Sequence, residues 1–232
     1  MKNMQVNANK NSNLSLAGAL VLAGGAALAL SQYFIWIHAP VEVTMGLVQK
    51  IFYLHLPAAW WGMICFFIVF CASIGFLLRR SPAMDQLAAS AAEIGLLYST
   101  MALATGSLWA RVSWNTWWTW DPRLSTALIM WFIYAGYLVL RQSIDNRRKM
   151  RMVAAVLGIM AFLNVPLVFL SARMWRSIHP AVFASEGGGL EPEMLTTVIV
   201  CVVSLGLLTA GLLMFRFRQK NIQERVLDLY RH

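Results

Sequence analysis

Residues 51–78 read IFYLHLPAAWWGMICFFIVFCASIGFLL, without one Asp, Glu, Lys or Arg. A run of that length and apolarity crosses a bilayer, for which about 20 residues suffice. It crosses as a helix, because only helices and closed barrels satisfy their backbone in lipid. Barrel strands would alternate in polarity over about 10 residues, and this run does not. Two residues inside it are out of keeping with a bare membrane anchor. His55 is ionisable, and Pro57 removes a backbone donor and disturbs the preceding turn.

Working outward, the chain of 232 residues is 59% hydrophobic and 12% charged. A soluble domain carries about 25% charged residues. Six apolar spans are expected, at Leu14–Ile37, Ile51–Leu78, Leu87–Ala110, Leu124–Leu140, Met152–Ala172 and Glu193–Phe215. The fold class is therefore an all-α integral membrane protein of six transmembrane helices, with residues 1–232 forming one domain. Ala27-Leu28-Ala29 would suit leader cleavage, but the apolar run continues to Ile37, so the first segment reads as a span.

Charge placement orients the chain. The N-terminus, loops 79–86 and 141–151 and the C-terminal tail hold fourteen Lys and Arg, against five in loops 38–50, 111–123 and 173–192. The positive-inside rule then puts both termini in the cytoplasm and the second set of loops outside. The basic runs at 147–149 and 216–220 read as stop-transfer charges, which excludes a nucleic-acid role. Cys65, Cys71 and Cys201 all fall within spans, and no C-x-x-C or C-x-x-C-H is present. The chain is neither a thiol oxidoreductase nor itself a c-type cytochrome.

The outer loop 111–123 is the strangest stretch. Residues 114–121 read WNTWWTWD, four of the ten tryptophans in eight positions. Trp anchors membrane interfaces, yet a connection is ordinarily polar and rich in Gly, Pro, Asn and Ser. Such an indole surface suits a flat aromatic ligand. His55 lies one turn into the second span, and His179 lies in the third outer loop. Either a neutral His55 bonds a carbonyl freed by Pro57, or it is a functional group in a membrane span. Two imidazoles beside an aromatic floor are the parts of a bis-histidine haem site. Lys50, Arg111, Arg123, Arg173 and Arg176 share that face and could meet the propionates. Two His and one Asp could bind Zn or Fe, but a bare ion has no use for four tryptophans. His38 and His232 carry no such company.

The segment from Thr105-Gly106-Ser107-Leu108-Trp109 through Trp114, Trp117, Trp118, Trp120, Asp121, Pro122 and Arg123 resembles the WWD signature of haem-handling proteins. With His55-Leu56-Pro57-Ala58-Ala59 and His179, the chain is similar over residues 14–215 to the cytochrome c maturation protein C (CcmC, haem exporter protein C) family. Asn115 stands where that family often has Gly, and Pro122 where a small residue is common.

The resemblance implies six spans in the bacterial inner membrane, haem b as the bound group, and His55 and His179 as its axial ligands. It implies a porphyrin platform of Trp114, Trp117, Trp118 and Trp120, with Trp109 as a further haem-binding residue and Asp121 and Arg123 at the haem edges or orienting the loop. Asp121 also reads as an N-cap of the fourth span. The implied role is delivery of haem to a periplasmic haem chaperone (protein E) for c-type cytochrome biogenesis. The implied partners are also a small single-span protein D and the ATP-binding-cassette proteins A and B. This is an assembly factor rather than an enzyme, with a lyase-like role toward the chaperone as the enzymatic variant. The alternatives are a cytochrome c haem-attachment synthase, whose WWD families are longer, and a small-solute transporter, for which Glu93 is the main intramembrane charge.

Overall fold

The computed structural model describes the backbone of residues 2–174 and 190–230, and the side chains of 16–171 and 190–230. Its helices, in chain order, are α1 Lys2–Tyr33, α2 Phe52–Arg79, α3 Pro82–Trp114, α4 Pro122–Ser143, α5 Arg147–Phe162, α6 Asn164–Met174 and α7 Pro192–Leu229. Six segments among the described residues are long and apolar enough to cross a membrane, and α5 with α6 forms one of them, Arg147–Ser171. The six expected spans are all present.

Several expected boundaries change: α1 already begins at Lys2 rather than Leu14, α3 runs Pro82–Trp114 rather than Leu87–Ala110, and α5 begins at Arg147 rather than Met152. The first span ends in a π-helical turn, Phe34–His38. The fifth is broken at Leu163, three residues before Pro166, whose ring cannot continue the α-helical ladder at that turn. Asn164 at the break donates its side-chain N–H to the Thr126 carbonyl on α4 at 2.9 Å. The sixth continues as helix well past Phe215, to Leu229.

Local chemistry explains the helix ends. Pro82, Pro122 and Pro192 open α3, α4 and α7 at positions where a missing N–H costs nothing. Asp121 caps α4, its Oδ1 accepting from the Arg123 N–H at 2.9 Å. Asn146 caps α5 in the same way through Lys149 at 3.0 Å. Between α1 and α2 a tight turn closes on Gly46, at φ 60°. There the Glu42 carboxylate accepts from the Met45 and Thr44 N–H groups. These two bonds hold its carboxyl below the usual carboxylate range.

Packing in lipid gains nothing from removing water between helices, so close backbone approach decides it. Helix α1 lies on α7 and α2 on α3. A Cβ on Gly24 would sit 2.5 Å from the Leu208 nitrogen, and one on Gly211 would sit 2.7 Å from the Val21 nitrogen. The α1–α7 contact therefore tolerates no side chain at either position. The central core is aromatic: Phe66 of α2 stacks on Tyr134 of α4 with ring centroids 3.6 Å apart, and both are fully buried.

The described ion pairs all gather at one end of the bundle. Arg141 forks onto Asp85 at 2.6 and 2.7 Å. Arg151 reaches both Asp85 and Glu224, and Arg147 reaches Asp228. Glu93 accepts from Arg216 at 2.5 Å and from Lys220 at 2.8 Å. The tryptophan loop lies at the opposite end, between the last turn of α3 and the first turn of α4.

Candidate functional site

The tryptophan loop begins where α3 stops. Asn115 ends α3 in the left-handed region, φ 55°, a conformation Asn adopts more readily than most side chains. The loop is then fastened to the helix it left. Ser107 Oγ donates to the Trp117 carbonyl at 2.7 Å. Arg111 donates to the Asn115 carbonyl and side chain at 2.9 and 2.8 Å, and its guanidinium lies 5.8 Å from the Trp117 ring centre. Thr116 donates to the Trp118 carbonyl at 3.0 Å. These short-range bonds hold a chain segment that has no helix of its own.

Beneath the loop is a cleft between α2, α3 and α4. Its walls include His55, Gly62, Met63, Gly106, Trp117, Trp118, Arg123 and Leu124, and Phe66 and Met130 close it at depth. The cleft has a cavity volume of about 100 Å³ and is partly open at its mouth. A porphyrin exceeds that volume, so part of it would lie at the mouth, where the Trp117 indole is 57% accessible; Trp120, 79% accessible, does not line the cleft.

His55 is half-buried on α2 and reaches across to α3, where its Nδ1 lies 3.1 Å from Thr105 Oγ1. The expected alternative, a bond to a carbonyl freed by Pro57 on its own helix, gives way to this cross-helix partner. Arg123 brings a cation to the cleft, with the buried Asp121 as its charged neighbour. The Trp118 indole N–H is buried without a hydrogen-bond partner among the described residues. A donor and a cation beside an imidazole, on otherwise apolar walls, match a flat apolar ligand that carries carboxylates and a metal. The residues present fit haem on these grounds. Among the described residues no cluster of three or more His, Cys, Asp or Glu could hold a bare metal ion.

The other sequence candidates divide clearly. Trp109 and Trp114 pack edge to face on each other, centroids 4.9 Å apart, and Trp118 and Trp120 do the same at 6.1 Å. Neither Trp109 nor Trp114 lines the cleft. Lys50 is buried, and its ammonium donates to the Ile35 and Ala39 carbonyls at 2.5 and 2.9 Å. It thus satisfies the end of the first span rather than facing the cleft. Arg111 is engaged with Asn115. His179, Arg176 and the Arg173 side chain lie outside the described residues. Thr105, Gly106 and Gly62 were not among the site residues expected from sequence. The motif held Thr105 and Gly106, but only the fold brings them against His55.

Comparison with known proteins agrees with this architecture. The sequence profile of the family described as "Heme exporter protein C" matches residues 4–231. "Heme exporter protein C" of Bradyrhizobium diazoefficiens is 34% identical over 193 residues, covering 82% of this chain and 73% of its own. The protein of that name from Escherichia coli is 31% identical over 180 residues, covering 78% and 73%. A "putative cytochrome c biosynthesis ccmC-like mitochondrial protein" of Marchantia polymorpha is 31% identical, covering 80% and 78%. With a profile match over nearly its full length and six membrane-crossing helices, the chain belongs to the heme exporter protein C family of multi-pass inner-membrane proteins.

Proposed function

We propose that this chain holds haem b at the periplasmic face, ligated by His179 and by His55 beneath the tryptophan loop, and hands it to a periplasmic haem chaperone for cytochrome c biogenesis. The observation that carries this reading is the convergence of His55, Trp117, Trp118 and Arg123, from α2, the loop and α4, on one apolar cleft. The names of the relatives supply haem as cargo and export as the role.

In this reading the haem iron accepts an imidazole nitrogen from each His, and the rest of the binding belongs to the protein. Indole and aliphatic walls cover the porphyrin faces. Arg123 and the Trp118 N–H meet the carboxylates, with Arg173 and Arg176 as further cations of the same outer side. Residues 1–232 act as one domain with both termini in the cytoplasm, because the ends away from the loop carry most of the Lys and Arg. The chain serves as an assembly factor in a multi-protein maturation system, with the single-span protein D and the transporter proteins A and B beside the chaperone. Against the solute-transporter alternative stands the pairing of Glu93 with Arg216 and Lys220, which leaves it away from the cleft.

Purification in detergent tests the reading. Pyridine haemochrome is expected to report haem b bound to the chain. Addition of haem-free chaperone is expected to move that haem to the chaperone. A protein that purifies without haem and takes up none on addition overturns it.

A further inference from the structure

We infer that Thr105 and Gly106 form a cradle on α3 that fixes the tautomer and position of His55; this rests on His55 being a haem ligand. The Thr105 hydroxyl has a single proton. It points back along the helix to the Met101 carbonyl at 2.7 Å, with the Ala102 carbonyl at 3.2 Å. Were that proton turned to His55, the 2.7 Å contact would bring two oxygens together with no hydrogen between them. Toward His55, then, Thr105 can only accept, through a lone pair the hydroxyl still has.

The proton in the 3.1 Å contact must accordingly sit on His55 Nδ1. In a neutral imidazole that makes Nε2 the basic nitrogen, the one suited to iron. The hydrogen bond at one ring nitrogen decides which nitrogen binds a metal and how basic it is. Gly106 completes the cradle by its lack of a side chain. A Cβ there would meet His55 Cε1 at 3.2 Å and Nδ1 at 3.6 Å, so the Nδ1–Cε1 edge of the ring lies directly on the helix. The next residue, Ser107, bonds the Trp117 carbonyl. Three consecutive residues of α3 thus set both the ligand and the loop that covers it.

The test uses the full-length protein loaded with haem b in a His179→Gly background, reduced, with the iron–histidine stretching band read by resonance Raman. With Thr105 present the band is expected, since one imidazole remains on the iron. Thr105→Val keeps the shape and removes the hydroxyl acceptor at 3.1 Å, leaving the ring only the Ala102 backbone carbonyl on α3. It is expected to move the band to lower frequency and to weaken haem retention roughly 10- to 100-fold. Thr105→Ser is expected to restore both. Should the valine protein fail to insert, Thr105→Ala serves the same comparison. A band that is present with Thr105 and unmoved without it overturns the inference and leaves His55 as ligand. Absence of the band with Thr105 intact overturns His55 ligation, and this inference with it. Gly106→Ala is expected to lower retention with Thr105 in place, and unaltered retention overturns the part assigned to Gly106.

Discussion

Ser107 Oγ donates to the Trp117 carbonyl at 2.7 Å, tying the middle of the tryptophan loop to the helix that precedes it. The bond spans ten residues, so it closes the loop over the cleft mouth. A hydrogen bond of this kind contributes about 0.5–1.5 kcal/mol net. Ser107→Ala is expected to speed haem release roughly two- to tenfold, the rate equivalent of that energy. Transfer of haem to apomyoglobin in detergent measures the rate. An unchanged rate would mean that the loop is held by its other bonds.

The indoles should not be equal. Trp117 and Trp118 line the cleft, whereas Trp109 and Trp114 are spent on each other. An aromatic contact adds roughly 0.5–1.5 kcal/mol beyond burial. Single replacement of Trp117 or Trp118 by Ala should weaken retention partly, and Trp109→Ala less. Replacing Trp117, Trp118 and Trp120 together, the two indoles of the cleft wall and the most exposed one beside them, should largely abolish it while the protein still inserts. Full occupancy in the triple variant, read by the haemochrome assay, would assign the loop another purpose.

The opposite end of the bundle should govern stability rather than haem. Asp85 and Arg141 are 5% and 12% exposed and paired in a fork. Removing one member of a buried pair costs roughly 3–5 kcal/mol, because the other charge stays buried. Asp85→Asn is expected to lower the unfolding temperature in detergent markedly, with the haem spectrum of the folded fraction unaltered. An unshifted unfolding temperature contradicts this account of the cluster.

The Lys and Arg distribution predicts an orientation with both termini in the cytoplasm. A reporter active only in the periplasm, fused after Trp117, is expected to be active, and one fused after Asp145 inactive. The reverse pattern would put the cleft on the cytoplasmic side and remove the chaperone from its reach.

Much of this was legible in the sequence, for physical reasons that also mark where it stopped. Six spans follow from apolar length, and the Asp121-Pro122 cap follows from local chemistry. The break at Leu163 did not, because an apolar run hides Pro166 that a polar one would expose. Lys50 and Arg111 were legible as cations at the tryptophan-loop end but not as local hydrogen-bond donors. Sharing a face says nothing about where an ammonium points. The Thr105 contact to His55 spans 50 residues, and the approach of Gly106 to the same ring depends on how α2 and α3 cross. Both are tertiary facts without a periodic signal.

The most direct measurement is the optical and electron paramagnetic resonance spectrum of the haem-loaded His55→Gly protein, with and without added imidazole. The account predicts loss of the six-coordinate low-spin signal and its return when imidazole fills the vacated position, with His38→Gly leaving the spectrum unaffected. A low-spin spectrum that survives His55→Gly and does not respond to imidazole would contradict the assignment of His55 as an axial ligand.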